Sequence, residues 1–380
     1  MKRRGHARTP ETMGAAAGSP ARAALPTRLL VLPGDGVGPE ITEAAVAVLD
    51  AVADRWRLDL ERETAEIGLA ALAVHGTTLP EETLERARAA DGVILGPIDH
   101  MRYPARDQGG VNVSATLRTG LDLYANIRPA RTRPGLSGPV GDFDLVIVRE
   151  NTEGFYPDRN MYAGSGEFMP DADTALSVRK ISAAACRRIA RRSFALARRR
   201  RCKVTAIHKA NNFILSDGLF LREVRAVASD YPDVELDEVL VDAAAALLVR
   251  EPARFDVLCT TNFHGDILSD LASELSGSLG LAGSLNAGDQ HACAQAQHGS
   301  APDIAGRDRV NPAAMLLSVA MLLEWLAERH ERSDLAGAAA RITAALDRTL
   351  TDPATRTADL GGSLGTRAFT AAVISSLDKE

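Results

Sequence analysis

Short apolar runs followed by helix-like stretches recur along the chain, and they constrain its fold more than any other feature. A strand-like run at 28–33 precedes a glycine-rich turn and a helix that begins near Pro39, and similar apolar runs span 92–96, 144–148 and 203–207. Strands that alternate with helices predict an α/β protein with a mostly parallel central sheet. In such sheets ligands bind beyond the carboxyl ends of the strands, where this sequence places charged and amide residues.

The glycine-rich turn after the first run does not match a dinucleotide-binding fingerprint. Residues 34–38 read Gly-Asp-Gly-Val-Gly, which lacks the Gly-x-Gly-x-x-Gly spacing, and no acidic residue ends a second strand at the required distance. In a Rossmann domain those glycines admit the pyrophosphate and the acidic residue binds the ribose. The sequence therefore predicts a fold that is not a standard Rossmann domain.

The composition indicates a soluble globular protein. The chain has 380 residues, 46% of them hydrophobic and 25% charged, which is enough for two domains with large cores. A net charge of -6 argues against nucleic acid and anionic membranes as partners, and no apolar stretch approaches the roughly 18 residues of a membrane span. The four cysteines lack metal-ligand spacing, so we expect reduced thiols in a cytoplasmic protein.

Two segments of biased composition have simple interpretations. Residues 1–27 are rich in Ala, Gly, Arg and Pro without the apolar core of a secretory signal. They predict a disordered N-terminal extension, with a transit peptide as the open alternative. Residues 187–203 carry many arginines, but apolar side chains interrupt them at helical spacing. This pattern favours an amphipathic helix with an arginine-rich outer face over a polyanion site.

A pair of carboxylates marks a strand-to-helix junction. Asp266 and Asp270 lie between a strand-like run at 255–260 and a helix-like run at 271–275. If the helix opens near Gly265, the two carboxylates are four residues apart on one face and repel each other unless a cation lies between them. Oxygen ligands suit Mg²⁺ or Mn²⁺. Taken alone, the pair is equally compatible with one capping and one solvated aspartate.

Three arginines, Arg118, Arg128 and Arg149, are candidates for an anion site. Each alone is typical of a surface charge, and Arg149 ends a strand-like run. Guanidinium groups bind carboxylates in a bidentate manner, so several that converge on one pocket would suit a polycarboxylate.

Six motifs occur in one order and together resemble the isocitrate/isopropylmalate dehydrogenase family. They are GDGVGPE at 34–40, the segment 118–129, RENTEGFY at 149–156, HKAN at 208–211, the segment 262–270 and HGSAPDIAG at 298–306. The resemblance runs from about Arg28 to the end of the chain. It implies an isopropylmalate dehydrogenase-like two-domain fold. A large cofactor-binding domain would comprise 28–123 plus 278–380, and a small dimerisation and substrate domain would comprise 124–277.

The resemblance also implies the roles of individual residues in a homodimer that oxidises a 2-hydroxy acid and removes its neighbouring carboxylate. Arg118, Arg128 and Arg149 would hold the malate-like carboxylates. The metal would be bound by Asp266 and Asp270, with Asp242 contributed by the partner subunit. Tyr156 and Lys209 of the partner subunit would form the acid/base pair, because a lysine near a metal and arginines can act as a base.

For the cofactor, the resemblance places Asn211 near the nicotinamide. The adenosine site would be lined by His298, Gly299, Ser300, Ala301, Pro302, Asp303, Ile304 and Asn311. The carboxylate of Asp303 would accept hydrogen bonds from ribose hydroxyls and repel a 2′-phosphate, which favours NAD. The segment 307–312 favours NADP instead, since it is similar to a loop of NADP-dependent relatives.

Departures from the family pattern bear on the substrate. Asn112, Ser114 and Asn212 stand near positions that would contact the substituent on C3 of the malate core. Against an isopropyl group such polar side chains would each cost about 1–3 kcal/mol if unpaired. We therefore expect a polar or anionic substituent, with isocitrate the leading candidate and a phosphonate or another tricarboxylate analogue also open. Isopropylmalate is the alternative substrate, and a non-catalytic regulatory subunit is the alternative of another class.

Overall fold

One ten-stranded sheet runs through the part of the chain that the structure describes. The computed structural model describes residues 26–136, 138–156 and 158–378. The described residues form twelve strands, of which the sixth and seventh pair separately as a two-stranded hairpin. The strands are β1 Thr27–Leu32, β2 Leu60–Thr64, β3 Gly92–Leu95, β4 Ala125–Arg131, β5 Asp144–Glu150, β6 Glu167–Asp171, β7 Thr174–Ser177, β8 Lys203–His208, β9 Glu235–Leu240, β10 Val257–Thr260, β11 Gly283–Ala287 and β12 Ala292–Ala296.

Helices follow most of these strands. They are α1 Gly38–Trp56, α2 Gly68–His75, α3 Glu81–Ala89, α4 Val113–Gly120, α5 Ala183–Ala197, α6 Ser216–Ala228, α7 Val241–Arg250, α8 Asn262–Leu275, α9 Ala313–His330, α10 Ser333–Thr351 and α11 Thr366–Ser376. No helix among the described residues is long and apolar enough to cross a membrane. Strand β1 begins at Thr27, one residue before the strand expected from the sequence, and residues 1–25 of the predicted extension lie outside the described residues.

The large sheet is mostly parallel, as predicted. Its order is β2-β1-β3-β12-β11-β4-β5-β10-β8-β9, and six of its nine pairings are parallel. The three antiparallel pairings, β12 with β11, β11 with β4 and β4 with β5, lie together at the centre. Strands β4, β5, β8, β9 and β10 form one half of the sheet, and β1, β2, β3, β11 and β12 form the other. The two-domain division expected from the resemblance follows this junction in the strand order, and it stays a prediction.

Helices cover both faces of the sheet, so its inner parallel strands are buried on both sides. Every residue of β3 and β10 is buried, the pattern expected of parallel strands enclosed on two sides. Helix α9 packs on β11 and β12 and is buried around most of its circumference. On the opposite face, Val113 and Leu117 of α4 share a core cluster with Cys293 of β12. The four cysteines are free thiols.

The arginine-rich segment forms the predicted amphipathic helix, although α5 ends at Ala197 rather than at 203. Its inner face buries Ile189 and Phe194. Most of the arginines pair with acids of the same chain: Arg187 with Glu223, Arg188 with Asp122, Arg198 with Asp233, Arg199 with Glu328, and Arg200 with Asp144 and Asp256. This neutralisation leaves little unpaired charge for a polyanion.

Replacing Asp256 should destabilise the fold, because this carboxylate is 1% exposed and is the buried partner of the arginine run. It accepts from Arg200 Nε at 2.8 Å and from the backbone N–H of Arg201 at 2.8 Å. Removing one partner of a buried pair costs about 3 kcal/mol, so Asp256→Ala should lower the free energy of unfolding by that amount in urea titrations. Asp233→Ala, which breaks the exposed pair with Arg198, is the control and should leave the midpoint unchanged. Equal midpoints for both variants would contradict this assignment.

Candidate active site

Three arginines converge on the sheet face that carries α4 and α8. Arg149 lies directly across from Asn126 in the β4–β5 ladder, and Arg128 is two residues further along β4, so their side chains share one face. Arg118 is in the last turn of α4. Arg149 is 2% exposed and Arg128 is 7% exposed, so both guanidinium groups are removed from water. The predicted convergence of the three arginines is therefore present in the structure.

The cluster holds more positive charge than its neighbours neutralise. Burial, together with the charges of Arg149, Arg128 and Arg159, lowers the pKa of Arg118 to about 9. Burial and the charge of Arg149 lower the pKa of Arg128 to about 10, against the opposing effect of Asp266. Both groups remain protonated at neutral pH. The Nε of Arg118 is buried and has no hydrogen-bond partner among the described residues. Such a donor suits an anionic ligand that supplies the missing acceptor.

The carboxylates of Asp266 and Asp270 lie on one face of α8, as predicted. Helix α8 begins at Asn262, three residues before the start expected near Gly265, so the i, i+4 relation holds. Nη1 of Arg128 is 3.4 Å from an oxygen of each aspartate, which places a cation between the two carboxylates. The described residues contain no cluster of three metal-ligating side chains. This chain therefore contributes two carboxylates at this position.

Asp266 is ionised by its surroundings and fixes the orientation of Tyr156. Burial pushes the pKa of Asp266 upward, but the charges of Arg149 and Arg128 and the hydrogen bond from Tyr156 outweigh it, and the pKa lies below its ordinary value. The hydroxyl of Tyr156 donates to Asp266 at 2.9 Å and accepts from Arg149 at 2.9 Å. Burial raises the pKa of Tyr156. The phenol therefore keeps its proton at neutral pH.

Close packing of α8 against β5 fixes Arg149. A Cβ on Gly265 would lie 2.7 Å from Cγ of Arg149, so only glycine allows this approach. The side-chain oxygen of Asn262, the first residue of α8, accepts from Nε of Arg149 at 2.9 Å and from Nη2 at 2.6 Å. Its amide nitrogen donates to the carbonyl of Glu153 at 2.7 Å. Asn262 thus connects α8 to the segment that carries Tyr156.

Lys209 and Asp242 form a separate pair at 2.6 Å. Within the described residues, no hydrogen bond or ion pair joins this pair to Tyr156 or to the arginine cluster. Asn211 and Asn212, which follow Lys209, are exposed. One chain therefore does not bring the predicted acid/base pair together, an arrangement that agrees with the expectation that Lys209 and Asp242 serve the partner's site.

The loop expected to bind adenosine packs against the first glycine-rich turn. Val37 donates its backbone N–H to the carbonyl of Ser300 at 2.8 Å. A Cβ on Gly36 would lie 2.0 Å from that carbonyl oxygen, and the φ of Gly36 is +57°. Ala301 has a φ of +37°, an unusual conformation for a residue with a side chain. The remaining predicted members Gly299, Pro302 and Ile304 belong to the same loop.

Two polar side chains of this loop are available to a ligand, and a third predicted residue is already engaged. His298 Nδ1 lies 3.0 Å from the carbonyl of Gly299, while its Nε2 is buried and has no hydrogen-bond partner among the described residues. Asp303 is exposed. The amide of Asn311, in contrast, accepts from Ala313 N and donates to Asp359, each at 3.0 Å.

The polar residues predicted near the C3 substituent have unequal positions. Asn112 is the N-cap of α4, where its oxygen accepts from Ala115 N at 3.1 Å and its amide nitrogen donates to Asp158 at 3.4 Å. Ser114 lies one turn before Arg118 on α4, and its Oγ accepts from Gln295 at 3.2 Å. Ser114 therefore lies close to the arginine cluster, and the expected substrate contacts of Asn112 and Asn212 stay predictions.

Comparisons with known proteins agree with this geometry. The family described as isocitrate/isopropylmalate dehydrogenase matches residues 28–375. The chain belongs to this family. It is 40% identical to the 3-isopropylmalate dehydrogenase of Methanothermobacter thermautotrophicus, over 92% of this chain and 98% of the relative. It is 43% identical to the isocitrate/homoisocitrate dehydrogenase of Thermus thermophilus, again over 92% and 98%. The expectation of an enzyme of this family is confirmed.

A solved structure supports the predicted fold. The isocitrate dehydrogenase of Methylococcus capsulatus superposes with a TM-score of 0.82 at 40% identity, covering 93% of this chain and 99% of that one. The α/β fold of the isocitrate/isopropylmalate dehydrogenase family is therefore confirmed for this chain.

Several residues that contact the candidate active site were not predicted from the sequence. Arg159 places its guanidinium over the ring of Tyr156, 5.1 Å from the ring centroid. Gln297 donates to Asp270 at 2.6 Å, while its own oxygen is buried without a described partner. Gln297 directly precedes the 298–306 motif, so its position was a usable signal. For Asn262 and Arg159, only the folded contacts reveal the role.

Replacing Arg118 should stabilise the ligand-free protein, because it removes a half-buried guanidinium that is crowded by like charges and whose buried Nε lacks a partner among the described residues. We expect Arg118→Met to raise the free energy of unfolding by about 1–2 kcal/mol in buffer without multivalent anions, measured by urea titration. Arg191→Met, at an exposed position of α5, is the matched control and should change nothing. A lower midpoint for Arg118→Met would mean that the free protein satisfies this charge internally.

Proposed function

We propose that the protein catalyses the metal- and NAD-dependent oxidative decarboxylation of a 3-substituted malate, with isocitrate or a similar polyanion as the substrate. One observation carries the proposal: Arg118, Arg128 and Arg149 converge beside Tyr156 and Asp266, and the buried Nε of Arg118 has no hydrogen-bond partner among the described residues. A carboxylate of the malate core would supply the acceptor that Nε of Arg118 lacks, and bidentate bonds would fix the orientation of the substrate. Family membership supports the reaction class.

The donor set at α8 fits a divalent metal ion. Asp266 and Asp270 direct carboxylate oxygens toward one point, and hard oxygen ligands suit Mg²⁺ or Mn²⁺. We infer that Asp242 of the partner subunit supplies a third carboxylate. The bound metal would provide positive charge that polarises the C2 oxygen of the substrate and stabilises charge as CO₂ departs.

The proton transfers are assigned to two side chains. Lys209 of the partner subunit would take the hydroxyl proton during hydride transfer from C2 to the nicotinamide, near which Asn211 would lie. Tyr156 would deliver a proton to C3 after decarboxylation, since burial keeps its phenol protonated. Asp266 and Arg149 hold that hydroxyl in place through the two 2.9 Å hydrogen bonds. The presence of this complete acid/base set disfavours a non-catalytic regulatory subunit.

The loop at 298–304 fits the adenosine half of NAD. If Nδ1–H of His298 donates to Gly299, the buried Nε2 is an acceptor without a partner, and an adenosine N–H or O–H donor could satisfy it. The exposed carboxylate of Asp303 would accept from ribose hydroxyls and would repel a 2′-phosphate. Asp303 thus supports NAD over NADP, whereas His298 suits the adenosine of either cofactor.

Exposed apolar surfaces support the homodimer that shared sites require. The β6–β7 hairpin leaves Phe168, Met169 and Leu176 exposed, and α8 leaves Phe263 and Ile267 exposed. Exposed apolar side chains grouped on single elements are typical of protein–protein interfaces.

The dimer assignment predicts complementation between two inactive subunits. In a heterodimer of Asp266→Asn and Lys209→Met chains, one shared site would carry both defects and the other neither, so about half of the wild-type turnover should return. Each variant homodimer should be inactive. The measurement is NAD reduction by heterodimers purified through two different tags.

A matched control places both substitutions on one chain and pairs it with a wild-type chain. Shared sites predict no turnover from this heterodimer, because each site then contains one defect. Sites confined to single chains predict the reverse: half activity with both substitutions on one chain and none with one on each.

The substrate assignment is tested by a panel of 3-substituted malates. We expect kcat/KM with NAD and Mg²⁺ to be at least tenfold higher for isocitrate than for 3-isopropylmalate, since an unpaired buried hydroxyl costs about 1–3 kcal/mol. NADP should support less turnover than NAD. Equal or faster turnover of isopropylmalate would favour the alternative substrate, which the names of several similar relatives carry.

A further inference from the structure

A continuous chain of hydrogen bonds crosses the centre of the sheet beneath the arginine cluster. Arg128 donates through Nε to the side-chain oxygen of Asn126. Asn126 donates to Asn286 at 3.1 Å, Asn286 donates to Gln295 at 3.4 Å, and Gln295 donates to Ser114 at 3.2 Å. The bonded members Asn126, Asn286 and Gln295 are all at most 9% exposed. Buried amides in such a chain have few alternative partners.

Strand pairing explains why these side chains meet. Asn126 of β4 faces Asn286 of β11 in the antiparallel ladder, and Asn286 faces Cys293 of β12. Gln295 is two residues beyond Cys293, so it lies on the same face of the sheet. This chain of hydrogen bonds crosses β4, β11 and β12, and the junction between the two halves of the sheet lies between β4 and β11.

The donor and acceptor of every hydrogen bond in this chain follow from its first member, Arg128. A guanidinium group can only donate, so Asn126 must present its oxygen to Arg128 and its NH₂ to Asn286. Asn286 then accepts with its oxygen and donates with its NH₂ to the oxygen of Gln295. Gln295 in turn donates to Oγ of Ser114. A permanent cation thus determines which way each amide is oriented.

Asn151 reinforces this orientation from the side. Its NH₂ donates to the same oxygen of Asn286 at 3.0 Å and to the carbonyl of Leu123 at 2.9 Å. Two donors therefore converge on the oxygen of Asn286. Reversing that amide would set its NH₂ against both of them, which makes the alternative orientation costly.

The chain of hydrogen bonds ends at the hydroxyl group of Ser114, whose own proton is free to donate. Ser114 accepts from Gln295 and has no other hydrogen-bond partner among the described residues. A hydroxyl has one donor, so Ser114 can direct its proton to a ligand. Because Ser114 precedes Arg118 by one helical turn, that ligand would be the one held by the arginines.

We propose that Asn126, Asn286 and Gln295 are positioning residues that orient Ser114 as a hydrogen-bond donor. The consequence is selection of substrates whose C3 substituent ends in an acceptor oxygen, such as a carboxylate or a phosphonate. This inference rests on the proposed function and identifies the device within it that selects the substituent. An acceptor oxygen on the substituent would accept the proton of Ser114 and complete the chain of hydrogen bonds, whereas an alkyl group would leave that hydroxyl unpaired.

The test compares Gln295→Met, Ser114→Ala and the double variant on malate, isocitrate and 3-isopropylmalate. Malate has no C3 substituent and serves as the internal reference. Relative to malate, kcat/KM for isocitrate should fall about tenfold in each single variant, with no further loss in the double variant, because both remove one interaction. Isopropylmalate should not lose activity relative to malate. Calorimetric titration of isocitrate with Mg²⁺ should show the same loss of affinity without turnover.

The controls separate the possible failures. Gln290→Met lies at the exposed turn of the same β11–β12 hairpin and should leave all three ratios unchanged. A parallel fall for all substrates in Gln295→Met would reduce Gln295 to a structural role and overturn the inference. Independent, additive losses in the double variant would also overturn it. If Gln295→Met does not fold, the isocitrate-to-malate ratio of Ser114→Ala decides. Wild-type protein that oxidises none of the three would instead refute the proposed function.

Discussion

Uncompensated positive charge on one face of the sheet is the constraint on which the site depends. Arg128 and Arg149 extend from adjacent central strands, and Arg118 approaches from α4. Asp266 partly neutralises them, yet burial and mutual repulsion still lower the pKa of Arg118 and of Arg128. Such a cluster costs folding free energy, and the surrounding hydrophobic core must supply it. The site is therefore preorganised for anions rather than formed by them.

The polar groups around this charge are organised by it. Asn262 and Tyr156 accept from Arg149, and Asn126 accepts from Arg128. Each accepting group then donates onward: Asn262 to Glu153, Tyr156 to Asp266, and Asn126 to Asn286. Because guanidinium groups never accept, orientation propagates outward from them. The direction of hydrogen bonding at the rim of the site is thus set at its centre.

The α/β architecture and the candidate site residues could be predicted from the sequence, because both depend on local patterns. Alternating runs predicted the parallel sheet, and helical spacing predicted that Asp266 and Asp270 share a face. The central antiparallel strands β4, β11 and β12 were not predicted, since short runs containing Asn, Gly and Ala lack a distinct apolar pattern.

Contacts between distant segments were beyond sequence reasoning. The amide of Asn112 caps α4 and contacts Asp158, because an asparagine at a helix start can accept from the free backbone N–H groups. The sequence did not reveal these contacts, and the expected contact of Asn112 with the substrate stays a prediction. Gln295 and Asn286 gain their roles only through cross-strand register. The cofactor and metal assignments came from the family resemblance and stay predictions.

The reversal of strand direction at the centre of the sheet has a mechanical consequence. Arg118 precedes the first strand of one half, whereas Arg128 and Arg149 belong to that half itself. An anion bonded to all three guanidinium groups must therefore span the junction at β11 and β4. It would act as a tie across that junction, so ligand binding would also stiffen the connection between the two halves of the sheet.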